Sequence, residues 1–89
     1  MEIRNNLPTL QRIEALLKSN AYIIRYEKGH FNSGFCVLKE KKVIVVNKFF
    51  DTEARINCMI DILTQIDFDP GLIQDEKLFK FYQQLIQKK

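Results

Sequence analysis

The chain has 89 residues, with 14 Lys and Arg against 11 Asp and Glu, a net charge of +3 and 46% hydrophobic residues. This hydrophobic content is too high, and the net charge too small, for a disordered chain. The length predicts a single domain over residues 1–89, with a modest core and no deep catalytic cleft. Composition therefore favours a binding or interaction module over a self-sufficient enzyme.

Apolar runs and cysteines exclude further classes of protein. No apolar run exceeds four residues, as in Val43–Val46, whereas a spanning helix needs roughly 20. Residues 1–6 lack the apolar stretch of a signal peptide, so we predict a cytoplasmic chain with no membrane association. Cys36 and Cys58 form no C-x-x-C motif, and we predict two reduced, buried structural thiols.

The first predicted element is a helix over residues 6–19. Asn5 or Asn6 can cap it, and Pro8 suits its first turn. Apolar residues recur at helical spacing, which predicts one buried stripe. The stripe consists of Leu7, Leu10, Ile13, Leu16 and Leu17.

Three strands are predicted next, over residues 21–27, 34–40 and 43–48, because these segments are rich in aromatic and β-branched residues. Residues 28–33 read as a loop. A charged turn around Lys41 separates the second strand from the third.

Two helices follow the strands. The first begins at a cap provided by Asp51 or Thr52, and it ends before the Asp69-Pro70-Gly71 turn. The second begins near Asp75 and places Leu78, Phe79, Tyr82, Leu85 and Ile86 on one stripe.

This order, α-β-β-β-α-α, predicts an α+β fold with a small, mainly antiparallel three-stranded sheet and three helices. Residues 35–38 and 43–46 are continuously apolar, so both faces of these strands need cover, and we expect both at the centre of the sheet. Either the first and last helices cover opposite faces, or a partner subunit packs on the second face or along an edge, as in a two-fold dimer.

The second arrangement predicts a non-catalytic module that forms a homodimer or binds a small protein. Phe49 and Phe50 join the last strand to the next helix, where one ring can pack and the other can meet a partner. The predicted interface residues are Phe35, Val37, Val43, Val45, Phe49 and Phe50.

A weak single-stranded nucleic-acid binder is an alternative, because residues 1–50 carry nine basic and four acidic side chains. Tyr22, Tyr26, Phe31 and Phe35 alternate with cations, a pattern typical of sheets that stack bases. The same lysines also suit edge strands, where they prevent aggregation. The predicted contacts are Arg25, Lys28, Lys39, Lys41 and Lys42.

A small enzyme or enzyme subunit is the third alternative, with the loop Gly29–Gly34 as its site. The loop holds His30, the only histidine and the one candidate base. Its glycine spacing lacks the Lys-Ser/Thr of a phosphate-binding loop, and a solvated histidine is the simpler interpretation. Acidic residues near the helix ends are predicted caps. The sequence therefore identifies no catalytic, cofactor-binding or metal-binding residue.

Three segments, Tyr26–Gly29, Gly34–Leu38 and Val43–Asn57, carry a family resemblance. Together, within residues 25–63, they resemble a family of short, uncharacterised bacterial proteins. The resemblance implies a compact bacterial domain and supplies no activity, substrate or catalytic residue.

The strand ending at Asn47 and the helix opening at Thr52-Glu53 are similar to the framework of small zinc peptidases. In those enzymes an H-E-x-x-H helix binds zinc and activates water. Ile60, Asp61 and Thr64 stand at the matching positions, so the resemblance implies the framework without zinc or peptidase activity.

Overall fold

The computed structural model describes residues 5–28 and 35–87 and confirms the α+β fold and the order α-β-β-β-α-α. No helix in these residues is long and apolar enough to cross a membrane. The elements are α1 (Leu7–Ser19), β1 (Ile23–Glu27), β2 (Phe35–Leu38), β3 (Val43–Asn47), α2 (Thr52–Gln65), a 3₁₀ turn (Pro70–Leu72) and α3 (Glu76–Gln87).

Side-chain caps place the starts of the helices where the sequence predicts them. Asn6 Oδ1 accepts from the Thr9 backbone N–H at 3.0 Å, and Asp51 Oδ1 accepts from the Ala54 N–H at 2.9 Å. Asp75 Oδ1 accepts from the Lys77 N–H at 2.8 Å. Each cap satisfies a backbone donor that the first helical turn leaves unpaired.

The C-terminus of α1 ends in a Schellman motif. The Tyr22 N–H donates to the Leu17 carbonyl at 3.2 Å, and the Ala21 N–H donates to the Lys18 carbonyl at 2.9 Å. Ala21 adopts the left-handed conformation that this motif requires, with φ of 66°. An alanine therefore occupies a position that favours glycine.

We expect Ala21→Gly to stabilise the fold by about 0.5–1 kcal/mol. Glycine removes roughly 1–2 kcal/mol of strain from the left-handed backbone at this position. It also increases the conformational entropy of the unfolded chain, which offsets part of that gain. Thermal unfolding should show a Tm rise of about 3–6 °C. Ala15→Gly, inside α1, is the matched control and should destabilise by about 1 kcal/mol. Equal losses in both variants would contradict the strain at Ala21.

The sheet is mixed, with strand order β1-β3-β2, and not mainly antiparallel as the sequence predicts. β3 pairs parallel with β1 and antiparallel with β2. The expectation that residues 35–38 and 43–46 both lie at the centre is therefore wrong for β2, which is an edge strand. β3 occupies the central position, and its Ile44 and Val46 are completely buried.

One hydrophobic core lies on one face of this sheet. α1 packs against α2, β1 and α3, so the first and last helices lie together and the arrangement with them on opposite faces is wrong. Helix residues and inward-facing strand residues share the core. Its fully buried side chains are Ile13, Leu16, Leu17, Ile44, Val46, Ile56, Met59 and Ile62.

Candidate interaction surface

The sheet has a second face, which we call the open face because its apolar side chains remain partly exposed. Neighbouring residues in the strand register point the same way, so the register assigns residues to this face. Ile23 is 58% exposed and Leu38 is 45% exposed. The open face consists of Ile23, Arg25, Glu27, Cys36, Leu38, Val43, Val45 and Asn47.

The open face changes from apolar to polar along the strands. Its first row joins Ile23, Val43 and Leu38; its second joins Arg25, Val45 and Cys36; and its third contains Glu27 and Asn47. The first row lies beside the turn at residues 39–42, at the amino end of β1 and β3. The apolar surface is thus concentrated at one end.

The charges on the open face are balanced. Arg25 Nε lies 3.1 Å from Glu27 Oε2, and the two side chains are 61% and 45% exposed. A pair this exposed contributes about 0–1 kcal/mol to stability. Its main consequence is that the described residues of the open face carry no formal net charge.

The predicted interface residues on the strands divide between the two faces. Val43 and Val45 lie on the open face, whereas Val37 packs against the core. Phe35 pairs with Val46 in the register, and its side chain lies outside the description. These four residues therefore do not form one surface, because adjacent residues of a strand point to opposite sides.

Phe49 and Phe50 differ in exposure. Phe49 is 68% exposed, and the Lys48 ammonium lies 5.4 Å from its ring centroid. Phe50 is half-buried, and its carbonyl accepts from Arg55 Nε at 2.9 Å. Phe49 is therefore the ring of this pair that a partner can reach.

The predicted nucleic-acid contacts lie at different places around the sheet. Lys39, Lys41 and Lys42 occupy the turn between β2 and β3, whereas Lys28 follows the opposite end of β1. Arg25, the fifth contact, is engaged with Glu27. The five cations therefore do not line one continuous groove.

The aromatic rings that the nucleic-acid hypothesis needs for base stacking make other contacts within the fold. Tyr22 is buried, and Tyr26 lies beneath the Arg55 guanidinium with 4.5 Å between its ring centroid and the guanidinium carbon. Phe31 lies outside the described residues. Stacking of bases on Tyr22 and Tyr26 would require both rings to leave these contacts.

Tyr26 also links α1 to the sheet. Its hydroxyl donates to the Glu14 carboxylate, and burial together with this hydrogen bond raises the pKa of Tyr26 far above its usual range. The hydroxyl therefore stays a hydrogen-bond donor even at a pH where an exposed tyrosine would ionise.

The two cysteines lie in different environments. Cys58 is buried, and burial and the Asp61 carboxylate raise the pKa of its thiol. Cys36 is only half-buried, so the prediction of two buried thiols is wrong for Cys36, which lies on the open face. Both thiols are free. In residues 5–28 and 35–87, no three His, Cys, Asp or Glu side chains form a group that could hold a metal ion.

The loop Gly29–Gly34, which includes His30, lies outside the described residues, so the enzyme hypothesis stays a prediction. Comparisons with family models, curated proteins and solved structures found no match. The resemblances to short bacterial proteins and to zinc peptidases likewise stay predictions.

The open face contains five residues that belong to no predicted site: the apolar Ile23, Cys36 and Leu38, and the polar Glu27 and Asn47. Strict alternation along the strands would have assigned Ile23 to the face opposite Ile24 and Tyr26. Only the strand register shows that Ile23, Val43 and Leu38 lie side by side in one row, and local sequence does not specify that register.

Proposed function

We propose that this chain is a self-associating module whose copies pair through the open face. The observation that carries the proposal is the apolar first row on the face opposite the core, in which Ile23 and Leu38 are exposed and Val43 is half-buried. Complete burial of a large aliphatic side chain contributes about 1.5–3 kcal/mol. These side chains are already partly buried, so each contributes less on association.

Charge and shape favour a second copy as the occupant. Arg25 and Glu27 leave the open face without formal net charge, so two copies do not repel each other across it. Two sheet faces of this kind can also pack on each other with their strands aligned to within about 30°.

The area of the open face predicts a weak dimer. The side chains of the open face, of which Ile23, Leu38 and Arg25 are about half exposed, present on the order of 500 Å² of accessible surface per copy, or roughly 1,000 Å² per dimer when all of it is buried. This total lies at the lower limit of the areas buried in specific interfaces. The freedom lost on association then offsets much of the free energy gained by burying apolar surface. We expect a dissociation constant on the order of 10–100 μM.

Sedimentation equilibrium from about 10 μM to 1 mM tests the proposal. The wild-type mass should rise from the 10.6 kDa of one chain towards twice that value. Ile23→Lys and Leu38→Lys should each weaken association at least about tenfold, because each places an ammonium in the apolar row. Both positions are exposed, so the fold should tolerate lysine there.

Leu72→Lys is the matched control, since Leu72 is 50% exposed and lies outside the sheet. It should associate like the wild type. Phe49→Lys tests the strand-to-helix connection separately. A chain that stays monomeric over the whole range overturns the proposal. The proposal is also overturned when Phe49→Lys abolishes association and Ile23→Lys does not.

A further inference from the structure

The polarity gradient of the open face restricts how two copies can pair. Face-to-face sheets align their strands within about 30°. A two-fold axis between them runs either along the strands or across them. The two choices bring different rows into contact, so the gradient distinguishes them.

An axis across the strands gives a poor interface. If it is centred on the second row, it places Ile23 over the partner's Glu27 and Arg25 over the partner's Arg25. Facing like charges at Arg25 and the loss of apolar contact between the two first rows disfavour that pairing. If the axis is centred on the first row, only that row overlaps and most of the face stays exposed.

We infer that the two copies pair about a two-fold axis parallel to β3. This inference rests on the proposed self-association through the open face. The axis superimposes each row on the same row of the other copy. Ile23 then faces the partner's Leu38, while Val43 and Val45 each meet their own counterparts.

The arrangement keeps the polar groups where water reaches them. Arg25 and Glu27 lie on the edge strand β1, at the margin of the paired faces. The third row of one copy meets the third row of the other, at the end of the strands opposite the apolar first rows. No carboxylate is buried beneath an aliphatic side chain.

One effect opposes this orientation. It brings the two basic turns, each with Lys39, Lys41 and Lys42, to the same end of the dimer. These lysines are exposed, and charges beyond a Debye length of ~8–10 Å are largely screened at physiological salt. Affinity should therefore rise about two- to threefold as salt rises from roughly 50 to 500 mM.

Cysteine cross-linking tests the orientation in a Cys36→Ser background. Packed sheets lie ~10 Å apart, so a short bismaleimide rather than a disulfide should join facing positions. The background protein should not link, because Cys58 is buried. Val43→Cys lies on the inferred axis and should link to its own counterpart.

The informative comparison is between Ile23→Cys and Leu38→Cys. Each variant alone should link poorly, because its two thiols lie on opposite sides of the axis. An equal mixture, with one species tagged, should give at least about threefold more linked heterodimer.

The results separate the two proposals. Efficient linking within each single variant, with no gain in the mixture, overturns the parallel axis and leaves self-association intact. Absence of linking in Val43→Cys, together with a monomeric mass, overturns self-association and the orientation with it.

Discussion

Asn20→Ala should destabilise the fold by about 2–4 kcal/mol, a large part of the stability of a small domain. Asn20 is 4% exposed and joins the end of α1 to the segment after α2. Its Oδ1 accepts from the Asp69 N–H at 2.8 Å, and its Nδ2 donates to the Asp69 carbonyl at 3.1 Å. Alanine leaves both backbone groups of Asp69 without this partner.

Urea and thermal unfolding measure this loss. A Tm fall of roughly 10–20 °C corresponds to the expected change in a domain of this size. Asn20→Asp should be no better than alanine, because it keeps the acceptor but loses the donor and buries a charge. Asn57→Ala, at an exposed position of α2, should change stability by less than about 0.5 kcal/mol. A wild-type Tm for Asn20→Ala would contradict the role of this amide.

Arg55→Ala should cost about 1.5–3 kcal/mol, because one guanidinium secures the β3–α2 connection. Arg55 Nη2 donates to the Lys48 carbonyl at 2.7 Å, and Nε donates to the Phe50 carbonyl at 2.9 Å. The same group stacks 4.5 Å from the Tyr26 ring centroid. The cation–π contact and the two hydrogen bonds therefore depend on a single planar group.

Arg55→Lys distinguishes the guanidinium from its aliphatic stem. Lysine retains the charge and the stem but cannot donate from a planar fork to two carbonyls, so most of the loss should persist. Lys48→Ala, which removes only an exposed cation over Phe49, should be nearly neutral. Chemical denaturation of the three variants provides the comparison. Full stability in Arg55→Lys would show that the stem, not the guanidinium, secures the connection.

The helices were predictable because their signals are local. Asn6 and Asp51 cap the helices that they precede in sequence, and Pro70-Gly71 follows the end of α2. A cap depends on a side chain and a backbone donor two or three residues away, so sequence spacing contains the information. The end of α1 was harder to interpret, since Ala21 occupies a left-handed position without being glycine.

The candidate site was predictable only in part. Val43 and Val45 belong to both the predicted interface and the open face, whereas Val37 packs inward. When consecutive residues of a strand are all apolar, hydropathy alone does not distinguish the buried face from the exposed one. The contacts between Asn20 and Asp69 were likewise beyond local reasoning, because 49 positions separate the two residues.

The sequence by itself determined the order of the elements, their approximate bounds and the apolar character of both sheet faces. These properties depend on spacing, capping and composition, which act over a few residues. Only the tertiary structure decided that β3 lies between β1 and β2 and that α1 and α3 share one side. Those choices depend on the packing of distant segments into one core, and they leave Ile23, Val43 and Leu38 together on the open face.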